Sequence, residues 1–285
     1  MNDVHVKILH TMAEFNEFVE LQKIVWRLKD YGDCIPNHVM LAVRESGGIV
    51  LGAYHKGEMV GFTLILSAYS KKEGYYHHSH IMGIHPEWQN KGIGYVLKKE
   101  HYQKAISLGV KKVTWTYDPL LGSNANLNIS KLGGIVRKYK IDVYGEFMGG
   151  SDLVSGIPSD RFWLEWYIDT NRVTERMKSG YKSANRQPQL KIEPVNLLNK
   201  TSGNLQQMRS FAMDKNAARI FIEIPSNFQA IYDSRKDLAV DWRLKSREMF
   251  TAYFQSGFIV ADFFRVSSSE GYRNFYMLEK NFKLN

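Results

Sequence analysis

The stretch HPEWQNKGIGYVLKKEH, residues 85–101, places a proline and two closely spaced glycines directly before a helical run. The first N–H groups of a helix have no intrahelical acceptor, and the helix dipole adds positive potential at the same end. Gly92 and Gly94 let the backbone approach an anion closely, and Lys91 adds a positive charge. The stretch therefore predicts a phosphate-binding turn at the start of a helix.

Three phosphate-binding schemes compete for this turn. The P-loop pattern G-x-x-x-x-G-K-[ST] is absent, and the dinucleotide pattern G-x-G-x-x-G fails because Leu97 stands where its third glycine should be. The acyl-CoA turn, Q/R-x-x-G-x-G/A, fits at Gln89, Gly92 and Gly94. The sequence thus favours coenzyme A as the source of the phosphate.

The residues around the turn predict an α/β protein. Helical spacing, β-rich runs and turn residues predict the following order for the first half: a helix at 12–30, a hairpin at 49–54 and 59–68, a strand at 74–86, a helix at 92–108 ended by Gly109, a strand at 111–120, a short helix at 124–134 and a strand at 135–145.

The composition changes at 149–160, where Gly, Ser and Asp accumulate, and this predicts a boundary. We therefore expect two domains, 1–148 and 149–285. The second half is predicted to contain a strand at 161–168, a loose polar stretch at 170–190, a strand at 218–225, a long helix at 237–257 and two final strands, FIVADFFRV and YRNFYMLEK.

The motif and the order of elements over residues 6–148 resemble the GNAT acyltransferase superfamily. The central family motif, hP-x-[WYF]-[QR]-x-x-G-[IVL]-[GA] between a strand and a helix, reads IHPEWQNKGIGYVL here. The second half is similar to a long bacterial group with a C-terminal extension. The resemblance implies an α/β (α+β) fold with a mixed, mainly antiparallel, splayed central sheet flanked by helices, plus a C-terminal α+β extension that packs on the core and contributes to substrate binding.

The resemblance also implies a cofactor, acetyl-CoA or another acyl-CoA. Its pyrophosphate is expected on the N–H groups of the turn, at Gln89, Asn90, Lys91, Gly92, Ile93, Gly94 and Tyr95. The acyl carbonyl is expected to bond a backbone N–H of the preceding strand, at Ile84 or Gly83. The pantetheine amides are expected near Asn124, Asn126 and Asn128, of which Asn124 is the preferred contact.

The reaction implied is N-acyl transfer to a small amine or an amino acid by direct attack on the thioester. This chemistry needs a base for the amine, a donor for the oxyanion and, in many family members, a tyrosine that protonates the thiolate. Here Ile129 stands where that tyrosine would be, before KLGG. Either Tyr139 or Tyr144 substitutes for it, or the thiolate leaves unaided.

Histidines on the strand before the turn are the candidate bases. Strand alternation predicts that His78, His80, Met82 and Ile84 share one face. A histidine beside the thioester has a pKa suited to a general base, and His80 is the preferred candidate. The alternative is that these are polar residues at the end of a strand.

Three charged residues outside the motif are further candidates. Asp118 can hold or deprotonate the amine, or it can cap the turn at Pro119. Glu223 and Arg243 are candidate substrate ligands, since a buried carboxylate is often perturbed and an arginine can grip a carboxylate with two hydrogen bonds. The alternative for both is an ion pair that ties the long helix to the core.

The bulk composition limits the classes of partner. The net charge is +9, from 38 Lys+Arg against 29 Asp+Glu, but the basic residues occur in scattered pairs, so nucleic acid is not favoured as a partner. Cys34 is the only cysteine, no run is apolar enough to span a membrane and no signal peptide is evident, so a cytoplasmic protein without a metal site is expected. Three alternatives stay open: a non-catalytic coenzyme A-binding sensor or assembly module, acylation of tRNA, and a succinyl donor. A homodimer is also possible.

Overall fold

The computed structural model describes residues 3–145, 156–180, 191–201, 203–269 and 271–284. The chain divides into two compact units. Among the described residues, the first unit contains those up to Trp115 together with Tyr167–Asp169, and the second unit contains the others.

The first unit alternates helices with strands in the order that the sequence predicts. Its helix α1 begins at a capping box, in which Thr11 and Glu14 bond each other's backbone N–H groups. The elements are β1 Val4–Ile8, α1 Met12–Trp26, α2 Asn37–Glu45, β2 Ile49–His55, β3 Glu58–Ser70, β4 Gly74–Ile84, a 3-10 turn Pro86–Trp88, α3 Ile93–Ser107 and β5 Lys112–Tyr117.

The sheet of the first unit has the order β1-β2-β3-β4-β5. The first four strands pair antiparallel, whereas β4 and β5 run parallel and pair at only two positions, His77 with Val113 and His78 with Thr114. Beyond Thr114 the two strands separate, although β4 continues for six more residues to Ile84. The predicted splay of the central sheet is confirmed, and within the described residues no strand pairs with the second half of β4 on the side of β5.

A β-bulge interrupts β4 at His80. The ladder with β3 pairs Leu64 with Ile81 and Ile65 with Ser79, so His80 has no partner of its own. An extra residue of this kind reverses the alternation of side chains along the strand, and bulges are frequent next to active sites.

The bulge changes which residues of β4 face α3. Before it, His77 and Ser79 contact α3; after it, Met82 and Ile84 pack against α3 with Ile93. One face was predicted for His78, His80, Met82 and Ile84. That prediction is wrong, because the bulge reverses the alternation of side chains between His80 and Met82. His78 and His80 lie on the side of β4 away from α3, with ring centroids 6.4 Å apart.

Two apolar clusters hold the first unit together, one on each side of its sheet. The side of α1 and α2 buries Phe15, Phe18 and Phe62. The side of α3 buries Leu97 with Ile65 and their neighbours. Burial of such side chains contributes about 1.5–3 kcal/mol each.

The second unit is an α+β assembly. Its elements are α4 Gly122–Ala125, a π-helical segment Asn126–Lys131, β6 Ile135–Lys140, β7 Arg161–Tyr167, α5 Asn171–Ser179, β8 Asn196–Lys200, β9 Gln206–Phe211, β10 Arg219–Ile224, α6 Phe228–Ser234, α7 Lys236–Gln255, β11 Phe258–Ser268 and β12 Gly271–Lys280. Its strands follow the order β7-β6-β11-β12-β10, and β8 and β9 form a separate hairpin.

Most predicted elements are confirmed, but α5 is not among them. The polar stretch 170–190 was predicted to be loose, yet residues 171–179 form α5, which buries Val173, Arg176 and Met177. Arg176 donates to the carbonyls of Ile129 and Ser130, so the helix is stabilised by long-range polar contacts that its composition does not reveal. Residues 181–190 lie outside the described part of the chain.

The two compact units are defined by contacts between residues, and the division into domains 1–148 and 149–285 stays a prediction. Residues 116–145 group with the later part of the chain, because the π-helical segment and β6 contact β11. The predicted boundary between 148 and 149 lies outside the described residues. No helix in the described residues has the length and apolarity needed to cross a membrane.

Candidate functional site

The turn before α3 presents a row of backbone donors. Within the described residues, the N–H groups from Asn90 to Gly94 have no hydrogen-bond acceptor, whereas Gln89 N–H donates to Pro86. Asn90 has a φ of 59° and Gly92 a φ of 86°, so the backbone enters the left-handed region twice within three residues. Such alternation turns successive N–H groups toward one point and makes an anion-binding concavity. The predicted phosphate turn therefore has the geometry of an anion site.

The side chains around this turn leave its donors open. Lys91 lies over the ring of Trp88, with Nζ 5.0 Å from the centroid, and the ring of Trp88 packs at a tilt of 47° against that of His55. The Gln89 amide donates to the carbonyl of Ile84 at 3.4 Å, which ties the turn to the end of β4. Gly92 caps α3 without any side-chain hydrogen bond, so no residue of the turn occupies the helix N-terminus.

The free edge of β4 continues the row of donors. Bonded and non-bonded pairs alternate in an antiparallel ladder, and His85 N–H donates to Val60 at 3.0 Å. The register then places Gly83 in a bonded pair with Phe62, so its N–H is used by β3. Met82 and Ile84 occupy the alternate positions, and their N–H groups point to the edge that β5 leaves open.

This alternation of bonded and non-bonded pairs distinguishes the two residues that were predicted to donate an N–H to the acyl carbonyl. Ile84 retains a free N–H, whereas Gly83 does not. Gly83 instead serves packing, because a Cβ there would lie 2.5 Å from the ring of Phe62. Sequence reasoning missed Met82, although the period of two along a strand, counted back from Ile84, identifies it.

His80 lies at the bulge beside this edge. Its ring is accessible to solvent at the surface of the sheet, and the protein atoms around it lower its pKa below the ordinary value by desolvation. The neighbouring His78 is bound to Thr114, with 2.9 Å between Nδ1 and Oγ1. His80 is therefore the histidine of the pair whose position suits proton transfer.

Comparison with protein families identifies this part of the chain. Residues 8–125 match the family described as Acetyltransferase (GNAT) family. Over these residues the chain is therefore similar to GNAT acetyltransferases. The matched residues contain the turn, the separating strands β4 and β5 and the bulge.

Several solved structures resemble part of the chain. The ribosomal-protein-S18-alanine N-acetyltransferase of Escherichia coli is 13% identical and has a TM-score of 0.44, over 58% of this chain and 94% of that one. A putative acetyltransferase of Salmonella typhimurium, solved with its cofactor acetyl-CoA, is 18% identical, with a TM-score of 0.45 over 59% and 95%. An IAA acetyltransferase from Bacillus cereus is 14% identical, with a TM-score of 0.43 over 57% and 99%. A search of curated proteins finds no match.

Asp118, predicted as a catalytic candidate, is buried in an ion pair. Its two oxygens accept from both terminal nitrogens of Arg243 at 2.9 and 2.5 Å, and Oδ1 also accepts from Leu120 N–H. Burial acts to raise the pKa of Asp118, but the charge and hydrogen bonds of Arg243 outweigh it and the pKa falls below the ordinary value. The arrangement matches the alternative that Asp118 caps the turn at Pro119.

Arg243, predicted as a substrate ligand, is the other half of this pair. It is 1% exposed, and both of its terminal nitrogens bond Asp118. Glu223 has a similar environment, because its carboxylate accepts two hydrogen bonds from Arg273 at 2.8 and 2.6 Å. Arg243 of α7 has the geometry of the predicted ion pair between the long helix and the core, whereas the partner of Glu223 is Arg273 of β12 and not the long helix. The role of both residues in substrate binding stays a prediction.

Tyr139, predicted as the acid, donates to Asp160 at 2.8 Å, and Arg247 binds the same carboxylate with two hydrogen bonds. Desolvation and the charge of Asp160 raise the pKa of Tyr139 far above its ordinary value. Tyr144 is more exposed and lies 3.3 Å from the hydroxyl of Thr116. Neither observation tests a catalytic role, but the phenol of Tyr139 already has an acceptor.

The remaining predicted residues lie in the short helical segments after β5. Asn124 belongs to α4, while Asn128 and Ile129 are buried in the π-helical segment that follows. π-helical turns are rare in proteins, and those that occur are often found at functional sites. The described residues contain no group of three or more side chains that could hold a metal ion.

Proposed function

We propose that the chain is an acyl-CoA-dependent N-acyltransferase that acts on a small amine or an amino acid. One observation carries the proposal: within the described residues, the N–H groups of Asn90–Gly94 in the turn, and those of Ile84 and Met82 on the unpaired edge of β4, have no acceptor. An unused row of backbone donors costs free energy unless water or a ligand accepts from it. An acyl-CoA has acceptors of matching chemistry along its length, from the diphosphate to the amides and the thioester carbonyl.

Different parts of the chain bind different parts of the acyl-CoA in this proposal. The N–H groups of Asn90 to Gly94 bind the diphosphate, and Lys91 adds positive charge at its side. The edge of β4 takes the pantetheine arm as an added strand, in which Ile84 supplies an N–H and a carbonyl. Met82 N–H donates to the thioester oxygen. Because this N–H is fixed by the strand, it also stabilises the negative charge that develops there during attack.

His80 is the base in this proposal. The lowered pKa of His80 keeps the ring neutral at neutral pH, so that it can accept the proton of the incoming ammonium or its water. The bulge projects His80 from the side of β4 away from α3, next to the position of Met82. Acetyl is the preferred acyl group, and succinyl is the alternative.

The proposed catalytic residues do not include an acid that protonates the thiolate of coenzyme A. Ile129, at the place of the family's tyrosine, is fully buried and cannot donate a proton. We infer that the thiolate of coenzyme A, a fair leaving group, departs without a tyrosine. The same observation favours a second candidate function, a coenzyme A-binding module without turnover.

Thiol release from acetyl-CoA and from succinyl-CoA, measured with a panel of amines and amino acids, tests the proposal. We expect steady release with at least one acceptor, and a loss of about 10²-fold or more in His80→Gln. The matched control is His38→Gln, because His38 is an exposed histidine of α2. Tight binding of acyl-CoA without turnover for any acceptor would favour the module. Absence of binding would overturn both functions.

A further inference from the structure

A lysine is buried inside the first unit without a carboxylate. Lys98 of α3 is 1% exposed, and among the described residues no acidic side chain forms an ion pair with it. Its ammonium group has two contacts: Nζ donates to Ser79 Oγ at 2.8 Å and lies 3.7 Å from the ring centroid of Trp115. Burial of a lysine ammonium group without a counter-ion costs free energy of folding.

The two contacts of Lys98 mark the place where the sheet opens. The last paired residues of β4 and β5 are His78 and Thr114, so Ser79 and Trp115 would form the next pair if the strands stayed together. We call Ser79 and Trp115 the fork. Lys98 Nζ bonds one member of the fork and lies over the ring of the other.

The polar contacts continue from the fork across the bulge. Thr63 of β3 lies 3.4 Å from Ser79 Oγ and donates to the carbonyl of Ile81 at 2.9 Å. The hydroxyls of Ser79 and Thr63 therefore connect Lys98 with the backbone on both sides of His80. Two side chains, Ser79 and Thr63, thus connect Lys98 with the bulge and with the peptide group that carries the N–H of Met82.

We propose that Lys98 is a positioning residue for acyl transfer, which holds the fork open and fixes the bulge so that His80 and Met82 keep their places beside the thioester. The proposal rests on the proposed function, because it assigns Lys98 a role in that same site. Lys98 does not touch the reacting atoms.

The charge of Lys98 is part of this role. Desolvation lowers the pKa of Lys98 to about 7, so the amine changes its charge near neutral pH. The ammonium form is attracted to the face of Trp115, and the neutral form loses this attraction. The titratable groups that face it are His77 of β4, whose pKa burial lowers to about 4, and His101 of its own helix, whose pKa is lowered further by burial and by Lys98. The other packed strands, β1, β2 and β3, turn apolar residues toward α3.

Lys98→Met, which replaces the charged side chain by an unbranched apolar one that is one atom shorter, tests the proposal in two measurements. The first is amide hydrogen exchange of the ligand-free protein at residues 79–84 and 113–115. We expect faster exchange there in the variant and unchanged exchange in β1 and β2. The second is the pH profile of kcat/KM between pH 6 and 9. We expect about a tenfold or larger loss in the variant, together with loss of the inflection near pH 7 that Lys98 should give to the wild-type profile.

The matched control is Lys99→Met, because Lys99 is the exposed neighbour of Lys98 on the same helix. Ser79→Ala, which removes the acceptor but keeps the lysine, should slow the reaction in the same direction. If the fork exchanges equally in Lys98→Met and wild type, or if a folded Lys98→Met keeps the wild-type pH profile, the proposal is overturned. If the wild-type protein shows no turnover, the proposed function fails, and the exchange measurement still judges the role of Lys98.

Discussion

Two sites, one in each unit, differ in how they accommodate a buried charge. In the second unit, Asp118 and Arg243 are both buried and neutralise each other through two hydrogen bonds, and Asp160 is bound by Arg247 in the same manner. In the first unit, Lys98 is buried, and its partners among the described residues are a hydroxyl and an aromatic face. Paired charges of the first kind hold a structure in place. A buried charge without a counter-ion destabilises the fold, and its retention indicates a role in function.

The paired charges of the second unit should give the largest effect on stability. Asp118→Ala leaves Arg243 buried without its counter-ion, and we expect a loss of about 3–5 kcal/mol in the free energy of unfolding, measured by denaturant titration. The double variant Asp118→Leu with Arg243→Met should be clearly more stable than the single one. Glu193→Gln, which breaks an exposed pair with Lys191, is the control and should leave the midpoint unchanged. A midpoint equal to wild type in Asp118→Ala would contradict the comparison.

The unpaired charge of the first unit should appear in the pH dependence of stability. The pKa of Lys98 is about 7 in the folded protein and 10.5 as the reference value, so the unfolded chain binds more protons between these two values. Stability should therefore rise with pH across this window, by at most about 1.4 kcal/mol per pH unit, and the contribution of Lys98 should be flat below pH 7. In Lys98→Met this rise should be lost, and at pH 6 the variant should be at least as stable as wild type. A parallel pH dependence in the two proteins would show that Lys98 is not desolvated.

The glycine turn gives the smallest effect on stability and a selective effect on binding. Gly92→Val forces a β-branched residue to a φ of 86°, which costs about 1–3 kcal/mol and displaces the N–H groups, so acetyl-CoA should bind about 10–100-fold more weakly. Isothermal titration calorimetry measures this loss. Gly57→Val is the matched control, since Gly57 has a φ of 90° in the β2–β3 hairpin. Equal affinities in the two variants would argue against the turn as the diphosphate site.

The local features of the site could be predicted from the sequence, because they depend on short-range rules. The spacing of Gly92 and Gly94 before a helical run identifies the turn, and Gly109 correctly ends α3. The resemblance to the acyltransferase superfamily also predicted an available backbone N–H at Ile84 or Gly83. These features need only the helix and strand periods and the conformational freedom of glycine.

The other features depend on partners that are distant in the sequence. The bulge at His80 exists only as a register shift against β3, so the alternation rule placed Met82 and Ile84 on the wrong face. The partners of Asp118 and Glu223 are 125 and 50 residues away, and no local pattern indicates them. Lys98 reads as a surface residue in the run LKKEH, and only the packing of α3 shows that it is buried while Lys99 is exposed.

A crystal structure of the protein with coenzyme A would test directly whether the turn before α3 binds the diphosphate. We expect the diphosphate to accept hydrogen bonds from the N–H groups of Asn90–Gly94, with the pantetheine arm along the edge of β4 at Ile84 and Met82. Coenzyme A bound at another place, or a turn whose N–H groups bond other parts of the chain in the crystal, would contradict it.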